Sequence, residues 1–96
     1  MEKLVITNPV FGKYLTPKRI SIITTLLKEG EVSQKELAEM LGMNESTLSY
    51  HISILESLGI VTREGIITKQ GGKFKKVSVV KYNPDNEVVE LEITPP

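Results

Sequence analysis

"VSQKELAEMLGMNESTLSYHISILESLGIVTREG", residues 32–65, contains two helix starts and two helix stops within 34 residues. Ser33 followed three positions later by Glu36 is a capping box, in which a hydroxyl accepts from the backbone at the start of a helix and the glutamate reaches back. Leu37, Ala38 and Leu41 then form the apolar stripe of a short helix that ends at Gly42. Asn44 is a second cap. The helix it opens, residues 45–57, sets Leu48, Ile52 and Leu55 on one face at about 100° per residue. Past Gly59 the texture turns β-branched with Ile60, Val61 and Thr62. The spacing Ala38, Gly42, Leu48 carries a steric argument. A small residue lets two helices cross closely, a glycine four positions on tolerates positive φ in the turn, and an apolar residue six further closes the core.

Working outward, Thr16-Pro17 gives a capping hydroxyl and a proline at the first helical position. Ile20, Ile23, Leu26 and Leu27 repeat at helical spacing up to Gly30, which predicts a helix over 17–29. Lys18 and Arg19 in its first turn are either solvated surface charges or phosphate contacts. On the other side, Ile66, Ile67 and Thr68 and then Val77, Val79 and Val80 flank Gly71-Gly72, which predicts a hairpin with its tip at 70–73. Arg63-Glu64-Gly65 is a competing tip, or a bulge that bends the first strand. Asn83-Pro84-Asp85-Asn86 reads as a turn, and Val89, Leu91 and Ile93 alternate with Glu90 and Glu92 as a half-buried strand. Leu4-Val5-Ile6 starts a short strand and Asn8-Pro9 breaks any helix there. Three helices followed by a basic hairpin define an α+β chain of winged helix-turn-helix order. It reads as a single domain, 1–96, with its core at 17–82 and terminal extensions at 1–16 and 83–96.

Composition bounds the function. The chain is 40% hydrophobic and 25% charged, an ordinary globular balance, and has no cysteine. Disulfides, thiolate metal sites and thiol redox chemistry are thereby excluded. No apolar run approaches the roughly 20 residues of a membrane span, and the N-terminal run is too short for a signal peptide, so a cytoplasmic protein with no membrane partner is expected. Twelve basic residues balance twelve acidic ones, but unevenly along the chain. Residues 63–81 hold Arg63, Lys69, Lys73, Lys75, Lys76 and Lys81 against Glu64 alone, whereas residues 82–96 hold four acids and no base. The pattern predicts a basic edge and an acidic tail.

The run from Val32 to Gly65, with its Ser-Thr-Leu-Ser-Tyr-His-Ile core and Leu58-Gly59-Ile60-Val61 following, resembles the DNA-binding core of small bacterial and archaeal winged-helix transcription regulators of the ArsR and MarR type. The resemblance covers residues 17–82. It implies a homodimer on a short, roughly palindromic double-stranded DNA operator, with the helix 45–57 in the major groove and the wing 69–76 on the adjacent backbone or minor groove. The chain also departs from that pattern. Metal-sensing relatives use cysteine or histidine clusters, and this chain has one histidine, His51. Many relatives dimerise through long terminal helices, for which Pro9, Pro17 and the strand-like tail leave little room. The two terminal extensions are expected to form the dimer surface by strand pairing instead.

The helix 45–57 poses a problem for that reading: residues 44–61 contain no lysine or arginine and two glutamates. Opposite its apolar stripe lie Ser46, Tyr50, Ser53 and Ser57, flanked by Thr47 and Ser49. Small hydroxyl residues permit close approach and can bond base edges or phosphates. We therefore expect base reading from Ser46, Thr47, Ser49, Tyr50 and Ser53. Backbone contacts are expected from Lys18, Arg19, Lys35, Asn44, Lys69, Lys73, Lys75 and Lys76. Lysines also decorate hairpin edges simply to prevent aggregation, which is the competing reading of the wing. His51 has no partner for metal binding or catalysis and is expected to be partly buried and bonded to backbone. Gly71-Gly72-Lys73 is not a phosphate-binding loop, because Ile67 stands where its first glycine belongs and Phe74 replaces Ser/Thr. No paired carboxylates or nucleophile–base set points to an enzyme, and no cofactor is expected. The alternative function is a winged-helix protein–protein interaction module without DNA binding.

Overall fold

A computed structural model of the chain describes residues 2–6, 13–85 and 89–93. In chain order the elements are β1 (Glu2–Ile6), α1 (Pro17–Glu29), β2 (Val32–Ser33), α2 (Gln34–Leu41), α3 (Glu45–Ser57), β3 (Val61–Gln70), β4 (Lys73–Tyr82) and β5 (Val89–Ile93).

Each helix starts on the cap read from the sequence. Thr16 Oγ1 accepts from Arg19 N at 3.4 Å, Ser33 Oγ from Glu36 N at 3.1 Å, and Asn44 Oδ1 from Thr47 N at 2.8 Å. Each satisfies one of the orphan N–H groups of a first turn. The stop of α2 is equally local. Gly42 takes φ 64°, ψ 31°, a left-handed conformation that any β-carbon would strain, and Met43 N donates to Ala38 O at 3.0 Å. That turn sends the chain into α3 with Ala38 buried at the crossing.

The core is one cluster: Leu15, Ile22, Ile23 and Leu26 from α1 and its approach, Leu37 and Ala38 from α2, Leu48, Ile52 and Leu55 from α3, Val32, Val61 and Val80 from the sheet, and Ile60 just before β3. Of the expected α1 stripe, Ile23 and Leu26 are buried and Ile20 and Leu27 pack at the edge of the cluster, while Ile22, outside that stripe, is fully buried. Helix α1 packs against β4 as well as α2.

The sheet has the order β2-β4-β3 and is antiparallel throughout. β3 and β4 pair without a break from Val61↔Tyr82 to Gln70↔Lys73, so Gly71-Gly72 is the tip, as expected. Both glycines have positive φ, the geometry of a two-residue hairpin turn whose twist matches its strands. Arg63-Glu64-Gly65 is neither tip nor bulge: Arg63 faces Val80, Glu64 faces Val79 and Gly65 faces Ser78 in register. A β-carbon at Gly65 would meet only the flexible end of the exposed Lys76 side chain, which can move aside. The two-residue β2 was not expected. It pairs Val32 with Val80 and Ser33 with Val79, tying the start of α2 to the root of the wing. Asn83 closes the other side of that root, its N donating to Ile60 O and its Nδ2 to Gly59 O, both at 2.9 Å.

The ends of the chain form a separate two-stranded sheet. β1 and β5 are antiparallel, from Glu2↔Ile93 to Ile6↔Val89. Both expected terminal strands exist, and within this chain they pair with each other. The expected break at Asn8-Pro9 lies outside the described residues.

Candidate nucleic-acid interface

With Leu48, Ile52 and Leu55 fully buried, α3 has no freedom of rotation, and its opposite face is fixed outward. Tyr50 is 62% exposed at the middle of that face. Ser46 and Ser53 are exposed beside it, Thr47 and Ser49 half-buried at its flanks. Several hydroxyls are already engaged. Ser46 Oγ donates to Asn44 Oδ1 at 2.9 Å, and Ser53 Oγ donates to Ser49 O at 2.9 Å. Lone pairs remain on both oxygens, so in this state they present acceptors.

The missing positive charge of α3 is supplied from other elements. Arg63 on β3 lies along the Ser49–Ser53–Glu56 stripe. Its Nη1 donates to Ser49 Oγ at 2.9 Å and to Gln34 Oε1 at 3.2 Å, and its Nη2 donates to Ser53 Oγ at 3.0 Å and to Glu56 Oε1 at 2.8 Å. The opposite edge of the face carries His51, whose Nδ1 accepts from Arg19 Nε at 3.1 Å. Arg19 Nη1 also donates to Tyr14 O at 2.7 Å, which anchors the guanidinium from behind. A helix without bases is thus bracketed by two arginines. Sequence reasoning missed the Arg63 site. The available signal was the i, i+4, i+7 spacing of Ser49, Ser53 and Glu56, three acceptors in a row on a helix with no cation of its own.

The expectation for His51 is corrected in its partner. It is half-buried and hydrogen-bonded, but to the side chain of Arg19 rather than to backbone. Burial, then the charges of Arg19 and Lys18, lower its pKa below the ordinary 6.5. Tyr50 faces it as well, edge-on with ring centroids 5.5 Å apart. The folded state therefore binds a proton here less readily than the unfolded chain does. Its contribution to stability is complete above about pH 6.5 and is lost as pH falls through the lowered value. Comparing thermal midpoints at pH 7.5 and 5.5, we expect the wild type to lose more than His51→Gln. Equal losses would remove His51 from the pH dependence.

The other expected backbone contacts fall into two groups and a tip. Lys18, Asn44 and Thr47 share a cleft of about 460 Å³ with Gly42 and Met43, beside the start of α3. Asn44 has spent its oxygen on the cap and the Ser46 hydroxyl, so it offers its amide hydrogens. Lys35 faces Lys75 and Lys76 across a groove of about 690 Å³ between α2 and the wing, which Glu36, Glu39 and Glu45 also line. Lys69, Lys73, Lys75 and Lys76 are all exposed. At the wing tip Phe74 is 76% exposed, with Lys69 Nζ 5.9 Å from its ring centroid, and Ile67 is 75% exposed. Among the described residues, no group of three or more His, Cys, Asp or Glu is placed to hold a metal ion, and no helix is long and apolar enough to cross a membrane.

Three helices, a left-handed turn between the second and third, and a hairpin packed beside the third make this a winged helix-turn-helix. Residues 16–63, half of the chain, match the model of the arsR family of bacterial regulatory proteins, and the chain belongs to that family. It is 39% identical over 46 residues to the HTH-type transcriptional regulator NmtR of Mycobacterium tuberculosis, a match covering 48% of this chain and 38% of NmtR. The chain therefore spans little more than a third of that relative's length in the match. A solved fragment of a possible transcriptional regulatory protein from Mycobacterium bovis superposes with a TM-score of 0.56 at 27% identity, over 77% of this chain and 71% of the other. A possible transcriptional regulator from Methanosarcina mazei shares the fold, with a TM-score of 0.62 at 20% identity over 82% and 66% of the two chains.

Proposed function

We propose that the protein is a sequence-specific double-stranded DNA-binding transcription regulator that acts as a homodimer. The observation that carries this reading is the outward face of α3, small hydroxyls around an exposed Tyr50, set beside a wing with four exposed lysines. In an arsR-family domain the arrangement suits a helix in the major groove and a wing, residues 69–76, on the backbone or minor groove. Affinity comes from Lys69, Lys73, Lys75 and Lys76, helped by Lys18, Arg19, Lys35 and the Asn44 amide. Arg19 serves in place, because its Nη2 is not used by Tyr14 or His51. Sequence reading falls to Ser46, Thr47, Ser49, Tyr50 and Ser53. The exposed Phe74 gives the wing an apolar surface for the sugar edges of a minor groove.

The terminal strands support the dimer. A two-stranded ribbon is by itself marginally stable in water, and a second copy that adds strands or exchanges them would extend it. Sedimentation equilibrium is expected to give twice the chain mass, and a monomer at high concentration would remove this part of the reading. A dimer on B-DNA presents its two recognition helices about 34–36 Å apart. Selection of bound duplexes from a random pool is therefore expected to return a near-palindrome whose half-sites lie one helical turn apart. Tyr50→Ala should fold as the wild type does and shift the selected sequence. An unchanged site would remove Tyr50 from base reading.

The second reading, a protein-interaction module, is favoured by the exposed apolar pair Ile67 and Phe74 and by the zero net charge. Under it, the random pool yields no enriched sequence.

A further inference from the structure

We propose that Arg63 is a specificity-determining positioning residue: from the root of the wing it fixes the hydrogen-bonding pattern that α3 presents to base edges. The inference rests on the DNA-reading function above and goes beyond it, because it makes the reading surface composite, part helix and part strand.

Three observations carry it. The first is how fully the guanidinium is used. Each terminal nitrogen makes two hydrogen bonds, and the four partners come from the first residue of α2 (Gln34) and from Ser49, Ser53 and Glu56 of α3. A planar fork held at four points on two elements has one geometry, and it fixes the rotamers of the residues it holds.

The second concerns the direction of each hydroxyl. A serine oxygen has one hydrogen to donate and two lone pairs. Ser53 donates to Ser49 O and accepts from Arg63, so its hydrogen is committed. Ser49 Oγ accepts from Arg63 Nη1, which occupies one of its two lone pairs and leaves its hydrogen uncommitted. Arg63 thereby favours Ser49 as a donor, with one lone pair fewer to accept on. A donor at this position pairs with an acceptor on the base edge, guanine N7 or O6, adenine N7 or thymine O4, and disfavours the cytosine amino group.

The third is charge. Residues 44–61 contain Glu45 and Glu56 and no base. Glu56 shares the stripe with Ser49 and Ser53, and unpaired it would repel a polyanion. Arg63 pairs it at 2.8 Å. The pair is partly exposed, 22% for Arg63 and 35% for Glu56, so it lies at the flank of the reading face rather than in the core.

The test uses the full-length chain with Arg63→Lys and Ser49→Ala, singly and together. Lysine keeps the charge and cannot reproduce the fork. Binding is measured on the selected duplex, on duplexes mutated one base pair at a time, and on a scrambled duplex across a salt series. For Arg63→Lys we expect scrambled-duplex affinity within about two-fold of wild type and an unchanged salt slope, with discrimination at one base pair of each half-site falling on the order of ten-fold. Ser49→Ala should lose discrimination at that same base pair, and the double variant should lose little more than either alone. A merely structural Arg63 would lower the thermal midpoint and leave the ratio of selected to scrambled binding untouched, which overturns the proposal. Should Arg63→Lys not fold, Ser49→Ala decides alone: unaltered discrimination overturns it. If the wild type itself selects no sequence, the DNA-reading function has failed rather than the role of Arg63 within it.

Discussion

Replacing Lys73, Lys75 and Lys76 together by alanine is expected to weaken binding to every duplex, by on the order of a hundred-fold or more at 0.1 M salt. All three side chains are exposed and stand on or beside the hairpin tip, where no core contact depends on them. Each phosphate neutralised by a cation releases counterions, and each contributes about 0.9 to the slope of log affinity against log salt. Losing three contacts should flatten that slope by about 2.7 per subunit, roughly twice that for a dimer. The loss should be uniform across sequences, because phosphates carry no sequence information. A salt titration of wild type and variant on one random duplex gives both numbers. If the lysines only keep the hairpin from aggregating, the triple variant binds as well as wild type and becomes less soluble.

Leu48→Ala is expected to have the largest effect on stability. Leu48 is fully buried where α3 meets the core, six residues past the Gly42 turn. Removing such a side chain costs about 2–5 kcal/mol, the spread reflecting how far the neighbours collapse into the space. A domain of this size has only about 5–15 kcal/mol in hand. With roughly 4–8 °C of midpoint per kcal/mol, a fall of at least about 8 °C should appear in a thermal melt. Two residues further along the same helix, Tyr50→Ala should change stability by less than about 0.5 kcal/mol, since its side chain is mostly in solvent. The contrast separates the buried face of α3 from the presented one. Comparable destabilisation by both would mean that Tyr50 is held by packing.

The fold was legible because its signals are local. Thr16, Ser33 and Asn44 each cap the helix that follows them, and Gly42 and Gly71-Gly72 sit where left-handed backbone is required. Each signal spans three or four residues, so a single sequence displays it. What the sequence concealed is long-range. Ile22, outside the stripe read from the sequence, is buried beside Ile23 and Leu26, and β4, more than 40 residues on, packs against that helix. His51 is bonded to Arg19, which lies 32 residues earlier, so a search along its own helix finds no partner. Arg63 reads as one more surface cation of a basic hairpin until the register of β3 sets it beside Ser49, Ser53 and Glu56.

The same pairing alters the meaning of the base-free helix. Its neutrality looked like an argument against a polyanion partner. With Arg63 along one edge and Arg19 along the other, the hydroxyl face lies between two hydrogen-bonded guanidinium groups, and the wing lysines are exposed. Affinity and reading can then reside on different residues, consistent with the separate effects expected for the lysine triple variant and for Tyr50.

Whether this chain binds double-stranded DNA is decided by an electrophoretic mobility shift. On a random duplex at low salt the wild-type protein is expected to shift the DNA at micromolar concentration, and added salt should release it along the slope set by the wing. No shift under those conditions would rule out DNA binding and leave the domain as a protein-interaction module.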